Sequence, residues 1–213
     1  LGALLLEARR VKDQQPVYNR QLRRETTLCA WRLEANPSAR PLVKLVRGEE
    51  LDPREFDRLY GVYRSKNQAL SSLRELADTH TLCLQALGLE SGKGRCFAQQ
   101  IGRCKGVCCG LESPELHYLR LKLALAQQQL HVWPHTGKVG LREFNASTGR
   151  TDIHIFDQWC HLATVHDDGE LEDALTQSSP ALAFDLDTYR LLYKHLSSPG
   201  KAGVELIRFP ARD

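Results

Sequence analysis

The sequence predicts an α+β protein, and three observations carry that expectation. Strand-like and helix-like patterning comes in blocks, β-rich, helical, β-rich and helical again, rather than in strict alternation. Hydrophobic residues make up 42% of the chain and charged residues 26%, enough apolar material for a real core. No internal repeat or low-complexity tract breaks the order. This balance excludes a disordered chain, and 213 residues fit one large domain or two small ones. The formal net charge of +3 neither demands nor excludes a nucleic-acid partner, so local charge carries more information.

Leu1, Leu4, Leu5, Ala8 and Val11 recur at helical spacing, and Pro16 ends the pattern because the residue before proline avoids helical geometry. Pro16-Val17-Tyr18-Asn19 reads as extended. Strands are expected at Cys29–Leu33 and Leu42–Val46, around the turn Asn36-Pro37-Ser38, and again at Leu59–Tyr63. Ser65-Lys66-Asn67-Gln68 is a capping-box pattern ahead of Ala69, Leu70, Leu73, Leu76 and Ala77. Ser113-Pro114-Glu115 starts another helix, with Leu116, Leu119, Leu123, Ala126 and Leu130 as its expected buried stripe. Strands then follow at Val132–Trp133, Lys138–Phe144, Thr151–Phe156 and His161–Val165. Thr148-Gly149 lies in a turn. Helices are expected at Glu170–Thr176 and Leu186–Leu196, the latter with Tyr189, Leu192, Tyr193 and Leu196 on one face. Val204–Phe209 is the last expected strand.

The chemistry is concentrated in residues 83–110, which are rich in glycine and short of periodicity. Such a segment cannot make its own core, and a metal would stabilise it. Cys83, Cys96, Cys104 and Cys108 are separated by twelve, seven and three residues. Four thiolates complete the coordination of zinc or of an iron–sulfur cluster. Zinc ribbons use two short cysteine pairs, whereas only Cys104 and Cys108 are close here, and spacing alone leaves both metals open. Buried thiols without metal are the third reading. Cys109 is an alternative to Cys108, and Cys29 and Cys160 read as core. His131, His135, His154, His161 and His166 show no short helical pair and read as structural or surface residues.

The first apolar run stops at Glu7 and lacks a basic lead, so it is neither a signal peptide nor a membrane span. With an odd number of cysteines, five of the seven crowded between Cys83 and Cys109, and no export signal, a cytoplasmic location is expected. Residue 1 is leucine and the chain holds no methionine, from which a longer parent protein is expected.

Leu4-Leu5-Leu6-Glu7-Ala8, Lys12 and Pro16-Val17-Tyr18-Asn19 resemble the second half of the GIY-YIG nuclease domain in the UvrC family of excinucleases. Cys96-Phe97-Ala98-Gln99-Gln100-Ile101-Gly102-Arg103-Cys104-Lys105-Gly106-Val107-Cys108 resembles that family's cysteine stretch, with Cys83 where a first ligand belongs. Tyr60-Gly61-Val62-Tyr63 and the helix after it resemble the elements that precede it. Arg20-Gln21-Leu22-Arg23-Arg24, Leu87-Gly88-Leu89-Glu90, Cys108-Cys109-Gly110 and Trp133-Pro134 fit the short Cho branch of the family. The resemblance is strong to about residue 130 and weaker beyond. It implies three regions: residues 1–25 as the end of a GIY-YIG nuclease domain, 26–130 as a cysteine-ligated cluster module with a β-hairpin and helices, and 131–213 as a small α+β C-terminal domain.

The same resemblance implies a 4Fe–4S cluster on Cys83, Cys96, Cys104 and Cys108, with zinc as the alternative. It implies nucleotide excision repair under the SOS response, with cleavage of damaged double-stranded DNA on the 3′ side of a lesion in complex with UvrB. Glu7 would hold a magnesium or manganese ion, since a hard ion keeps many waters and needs little more than one carboxylate, and Asn19 would orient groups beside it. Arg20, Arg23 and Arg24, and separately Lys93, Arg95, Arg103 and Lys105 with no acidic residue between 91 and 110, form basic patches suited to phosphates. The family's GIY and YIG strands, with the catalytic tyrosine and arginine, have no counterpart before Glu7, so the chain alone is expected not to cut DNA. Gly61-Val62-Tyr63 is a decoy, because the true motif precedes the glutamate.

Overall fold

The computed structural model describes residues 1–14, 28–146, 148–176, 184–197 and 204–209. They fall in two compact units. One draws on Thr26–Leu51 and Glu55–His131, the other on Leu1–Glu25, Asp52–Arg54 and Val132–Asp213. Each combines helices with an antiparallel sheet, so the protein is α+β as its patterning predicts. Helix α1 (Gly2–Gln14) comes first in the chain and belongs to the second unit.

The first unit carries strands β1 (Cys29–Leu33), β2 (Val43–Arg47) and β3 (Leu59–Tyr63), in the order β2-β1-β3. Strand β3 contains a bulge: Cys29 pairs with Tyr63 and Trp31 with Tyr60, so three steps on β3 match two on β1. Gly61 occupies the bulge at φ +64°, where the Tyr63 ring lies so close over it that a Cβ would collide. The glycine of the decoy motif therefore has a structural reason. Helix α2 (Lys66–Thr79) starts where expected, Ser65 Oγ accepting the Gln68 N–H at 3.2 Å, while the Gln68 side chain reaches back one residue further, to the Arg64 N–H. Ala69, Leu73 and Ala77 on one face are buried in the same core as Trp31, whose indole N–H donates to the Ala69 carbonyl at 3.2 Å.

Helix α3 (Leu84–Leu87) and helix α4 (Phe97–Gln100) are single turns in the cysteine-rich segment. Helix α5 (Pro114–Leu125) is capped by Ser113, whose Oγ accepts the Leu116 N–H. Its buried face corrects the sequence expectation. His117, Leu121, Ala124 and Leu125 point into the core, while Leu116, Leu119 and Leu123 are exposed. Leucines at nearly alternate positions supply two apolar stripes, and the stripe that packs is the one interrupted by a histidine.

The second unit holds β4 (Val139–Asn145), β5 (Arg150–Asp157), β6 (Cys160–Val165), α6 (Asp168–Thr176), α7 (Leu186–Ser197) and β7 (Val204–Arg208). Its sheet has the order β6-β5-β4-β7 with every pair antiparallel. The expected strand at Val132–Trp133 does not form. Trp133 is buried instead, its indole N–H donating to the Gly137 carbonyl at 3.0 Å. Helix α7 buries Leu186, Tyr189 and Leu192 as its spacing implies, though Tyr193 lies on the exposed side. Helix α1 packs against α7, and the Gly2 N–H donates to Glu143 Oε2 at 2.7 Å. A Cβ at Gly2 would stand 2.9 Å from the His154 ring, so only glycine allows this approach. Among the described residues, no helix is long and apolar enough to cross a membrane.

Candidate metal centre

Four sulfurs far apart in sequence converge in the first unit. The Sγ atoms of Cys83, Cys96, Cys104 and Cys108 all lie within 4.8 Å of one another, and among the described residues this is the one group of potential metal ligands that does so. Each is delivered by a local device. Cys83 and Cys96 stand at the N-caps of α3 and α4. Cys104 follows the turn that ends α4, and Cys108 lies in a 3₁₀ turn entered through Gly106 at φ +91°. A Cβ at Gly106 would stand 2.8 Å from the Leu111 Cβ, so the turn demands glycine for two reasons.

Cys83, Cys96 and Cys104 are buried and Cys108 is half-buried, continuous with the core formed by Leu73, Leu87 and Leu121. Burial pushes the Cys83 thiol up to about 11 and raises Cys104 as well. Burial also acts on Cys96, but the Gln99 N–H and the neighbouring thiols outweigh it and hold that sulfur below the ordinary range. Thiols gathered so closely resist ionising together, and a cation at their centre reverses this by favouring the thiolate. Backbone N–H groups already point at two sulfurs, from Gln99 to Cys96 Sγ and from Gly106 to Cys104 Sγ, each at 3.3 Å. The donor set therefore fits a thiophilic metal.

The separations bear on which metal. One tetrahedral zinc at about 2.3 Å from each sulfur would place the sulfurs roughly 3.8 Å apart. Here Cys96 Sγ and Cys108 Sγ are 3.5 Å apart. A cluster gives each iron its own thiolate and so needs a wider spread. The donor set suits either group, and the sulfur separations as they stand are nearer those of a single zinc.

His117 was not singled out by its sequence, yet it braces the centre. It is fully buried on α5, and its Nε2 accepts the Cys83 backbone N–H at 3.0 Å. Burial, then the charges of Arg120 and Arg40, drive its pKa down to about 4, so the ring is neutral and free to accept. Arg120 is itself tied to buried Glu112 at 2.7 Å. The readable signal was a polar residue in phase with Leu121 and Ala124. Replacing His117 by leucine would orphan a buried N–H and is expected to destabilise the unit by about 1–3 kcal/mol. Urea titration followed by exchange of the α3 and α5 amides measures it, and a loss under about 0.5 kcal/mol, the usual size for a surface change, would refute the bracing role.

The other candidates are distributed differently. Lys93, Arg95, Arg103 and Lys105 are all exposed on the segment that wraps the sulfurs. Cys109 is exposed, its thiol turned to the Gly106 carbonyl, whereas Cys29 and Cys160 are buried in the two sheets. Glu7 is exposed on α1. Asn19, Arg20, Arg23 and Arg24 lie outside the described residues.

Residues 20–127, which contain all four cysteines, match the family described as the UvrC/Cho excinuclease middle domain, and residues 138–213 match the excinuclease Cho C-terminal domain. The excinuclease Cho of Escherichia coli K12 is 39% identical over 215 residues, covering all of this chain and 69% of that protein. The chain belongs to the UvrC/Cho excinuclease family. The Salmonella typhimurium excinuclease Cho is 37% identical over 208 residues, 97% of this chain and 68% of that protein. No solved structure matches the chain. Within the excinuclease frame, the C-terminal match is the four-stranded sheet with its helices, and the middle-domain match contains the sulfur centre.

Proposed function

We propose that this excinuclease chain works in nucleotide excision repair, in an endonuclease of the GIY-YIG type that hydrolyses a phosphodiester on the 3′ side of a lesion. The convergence of four cysteine sulfurs inside the excinuclease middle domain is the observation that carries this reading. Cys83, Cys96, Cys104 and Cys108 would hold a 4Fe–4S cluster that organises the fold and takes no part in hydrolysis. A divalent magnesium or manganese ion supplies positive charge at the phosphate and activates water. Glu7, exposed on α1, offers the carboxylate for that ion, and Asn19 orients groups nearby. Lys93, Arg95, Arg103 and Lys105, with Arg20, Arg23 and Arg24, neutralise phosphates of damaged double-stranded DNA, and UvrB is the protein partner.

A zinc centre is the second reading, favoured by the 3.5 Å Cys96–Cys108 sulfur separation. In that case the domain is a zinc-organised DNA- or protein-binding module. Metal analysis of anaerobically purified protein separates the two: iron with broad visible absorbance supports the cluster, and colourless protein with one zinc supports the alternative. Glu7 is tested in the full-length nuclease on lesion-bearing DNA with magnesium. Glu7→Gln is expected to slow nicking at least tenfold while DNA binding persists. Unchanged nicking removes Glu7 from its role.

A further inference from the structure

The outer face of the sulfur-wrapping segment combines charge and apolar surface in an unusual way. Phe97 is 68% exposed and Ile101 50% exposed, four residues apart and so on one side of α4 and its end. Lys93, Arg95, Arg103 and Lys105 flank them along the chain, all exposed; the Arg95 guanidinium donates to the Gln99 side chain, and none of the four has an acidic partner among the described residues. No acidic residue occurs between 91 and 110. A single exposed apolar side chain needs no explanation. An aromatic and a branched aliphatic side chain exposed together in an acid-free stretch that also carries four cations do.

We propose that Phe97 and Ile101 form a wedge that contacts the face of an unstacked base in damaged DNA, while the four cations hold the phosphates on either side. This rests on the DNA-repair reading above and adds to it the residues that engage the bases. The charge pattern selects the occupant. Every phosphodiester polyanion complements the four exposed cations of this segment, and a base freed from its stack offers Phe97 a flat apolar partner that paired, stacked DNA withholds. Lesions lower the energy of unstacking, so such a wedge favours damaged over intact duplex. The proximity of the sulfurs has a mechanical consequence. Cys96 and Cys104 bracket α4, so a metal held by the four cysteines would fix the base of the wedge at both ends.

The test uses the metal-loaded chain and a duplex with one lesion and 2-aminopurine beside it. Wild-type protein is expected to bind and raise the fluorescence as the reporter unstacks. Phe97→Ala is expected to weaken binding about tenfold and to abolish the rise, with metal content unchanged, and Phe97→Trp to restore both. The salt dependence of Phe97→Ala binding should match wild type, because stacking releases no counterions, whereas Arg103→Ala should lower the slope of log K against log salt by about one. If Phe97→Ala binds and unstacks like wild type while Arg103→Ala weakens binding, the wedge is wrong and the DNA-contact reading stands. If wild type fails to bind and the charge variants change nothing, the DNA reading falls and takes the wedge with it.

Discussion

Cys104→Ser is expected to release the bound metal and to unfold residues 88–110 while the rest of the first unit keeps its sheet. The magnitudes decide this. Within 88–110 only Cys96, Cys104, Gly106 and Val107 are buried. Two thiols and one valine supply a few kcal/mol of apolar burial at best. A metal bound to four thiolates contributes on the order of 10–16 kcal/mol to folding, the measured scale for structural zinc. That exceeds anything else the segment offers. Cys104 is the better target than Cys108, whose neighbour Cys109 offers a second thiol one residue away. Hydrogen exchange across 88–110, read with metal content, checks the prediction. Loss of metal with protection retained in 88–110 would mean that packing alone holds the segment. Retention of metal would mean that Cys104 is not a ligand.

The same contrast explains what the sequence disclosed. Strands β1 and β3 and helices α2 and α5 were readable because local signals agree with packing: short apolar runs carrying Trp31, Tyr60 and Tyr63, and serine caps at Ser65 and Ser113 that the structure uses. The cysteine set was readable because soft ligands are scarce and a glycine-rich segment has few other ways to be stable. The face of α5 was not readable, since leucines at 116, 119, 121, 123 and 125 satisfy two helical phases equally and only the core chooses between them. His117 escaped notice because its task, accepting one backbone N–H of Cys83, is set by a contact 34 residues away in sequence. The exposure of Phe97 was equally hidden, because residues 83–110 have too little periodicity to assign its face. The grouping of α1 with the four-stranded sheet is a long-range fact, carried by Gly2, Glu143 and His154, which no local pattern announces.

Trp159 gives the second large effect, and it inverts a familiar ranking. Strands β5 and β6 are joined by Gln158 and Trp159, both at positive φ, +46° and +64°. A two-residue hairpin with both central residues left-handed normally uses asparagine and glycine. A tryptophan there is held in a conformation costing roughly 1–3 kcal/mol. What holds it is its ring: Trp159 is 2% exposed and lies edge-on to Trp133 at 5.1 Å and Tyr189 at 5.0 Å. Trp159→Ala loses that packing, about 3–5 kcal/mol, and keeps the left-handed strain, because alanine has a Cβ. The indole N–H has no hydrogen-bond partner among the described residues, which sets the loss toward the lower end of that range. Trp159→Gly loses the same ring and relieves the strain, roughly 1–2 kcal/mol, against about 0.5–1 kcal/mol of added chain entropy in the unfolded state. Glycine should therefore be the milder substitution by up to about 1.5 kcal/mol, whereas in ordinary strand interiors it is the harsher one. Denaturant titration followed by exchange of the β5 and β6 amides reads the second unit by itself. An alanine variant more stable than the glycine variant would show that the turn is unstrained and that the aromatic cluster alone sets its shape.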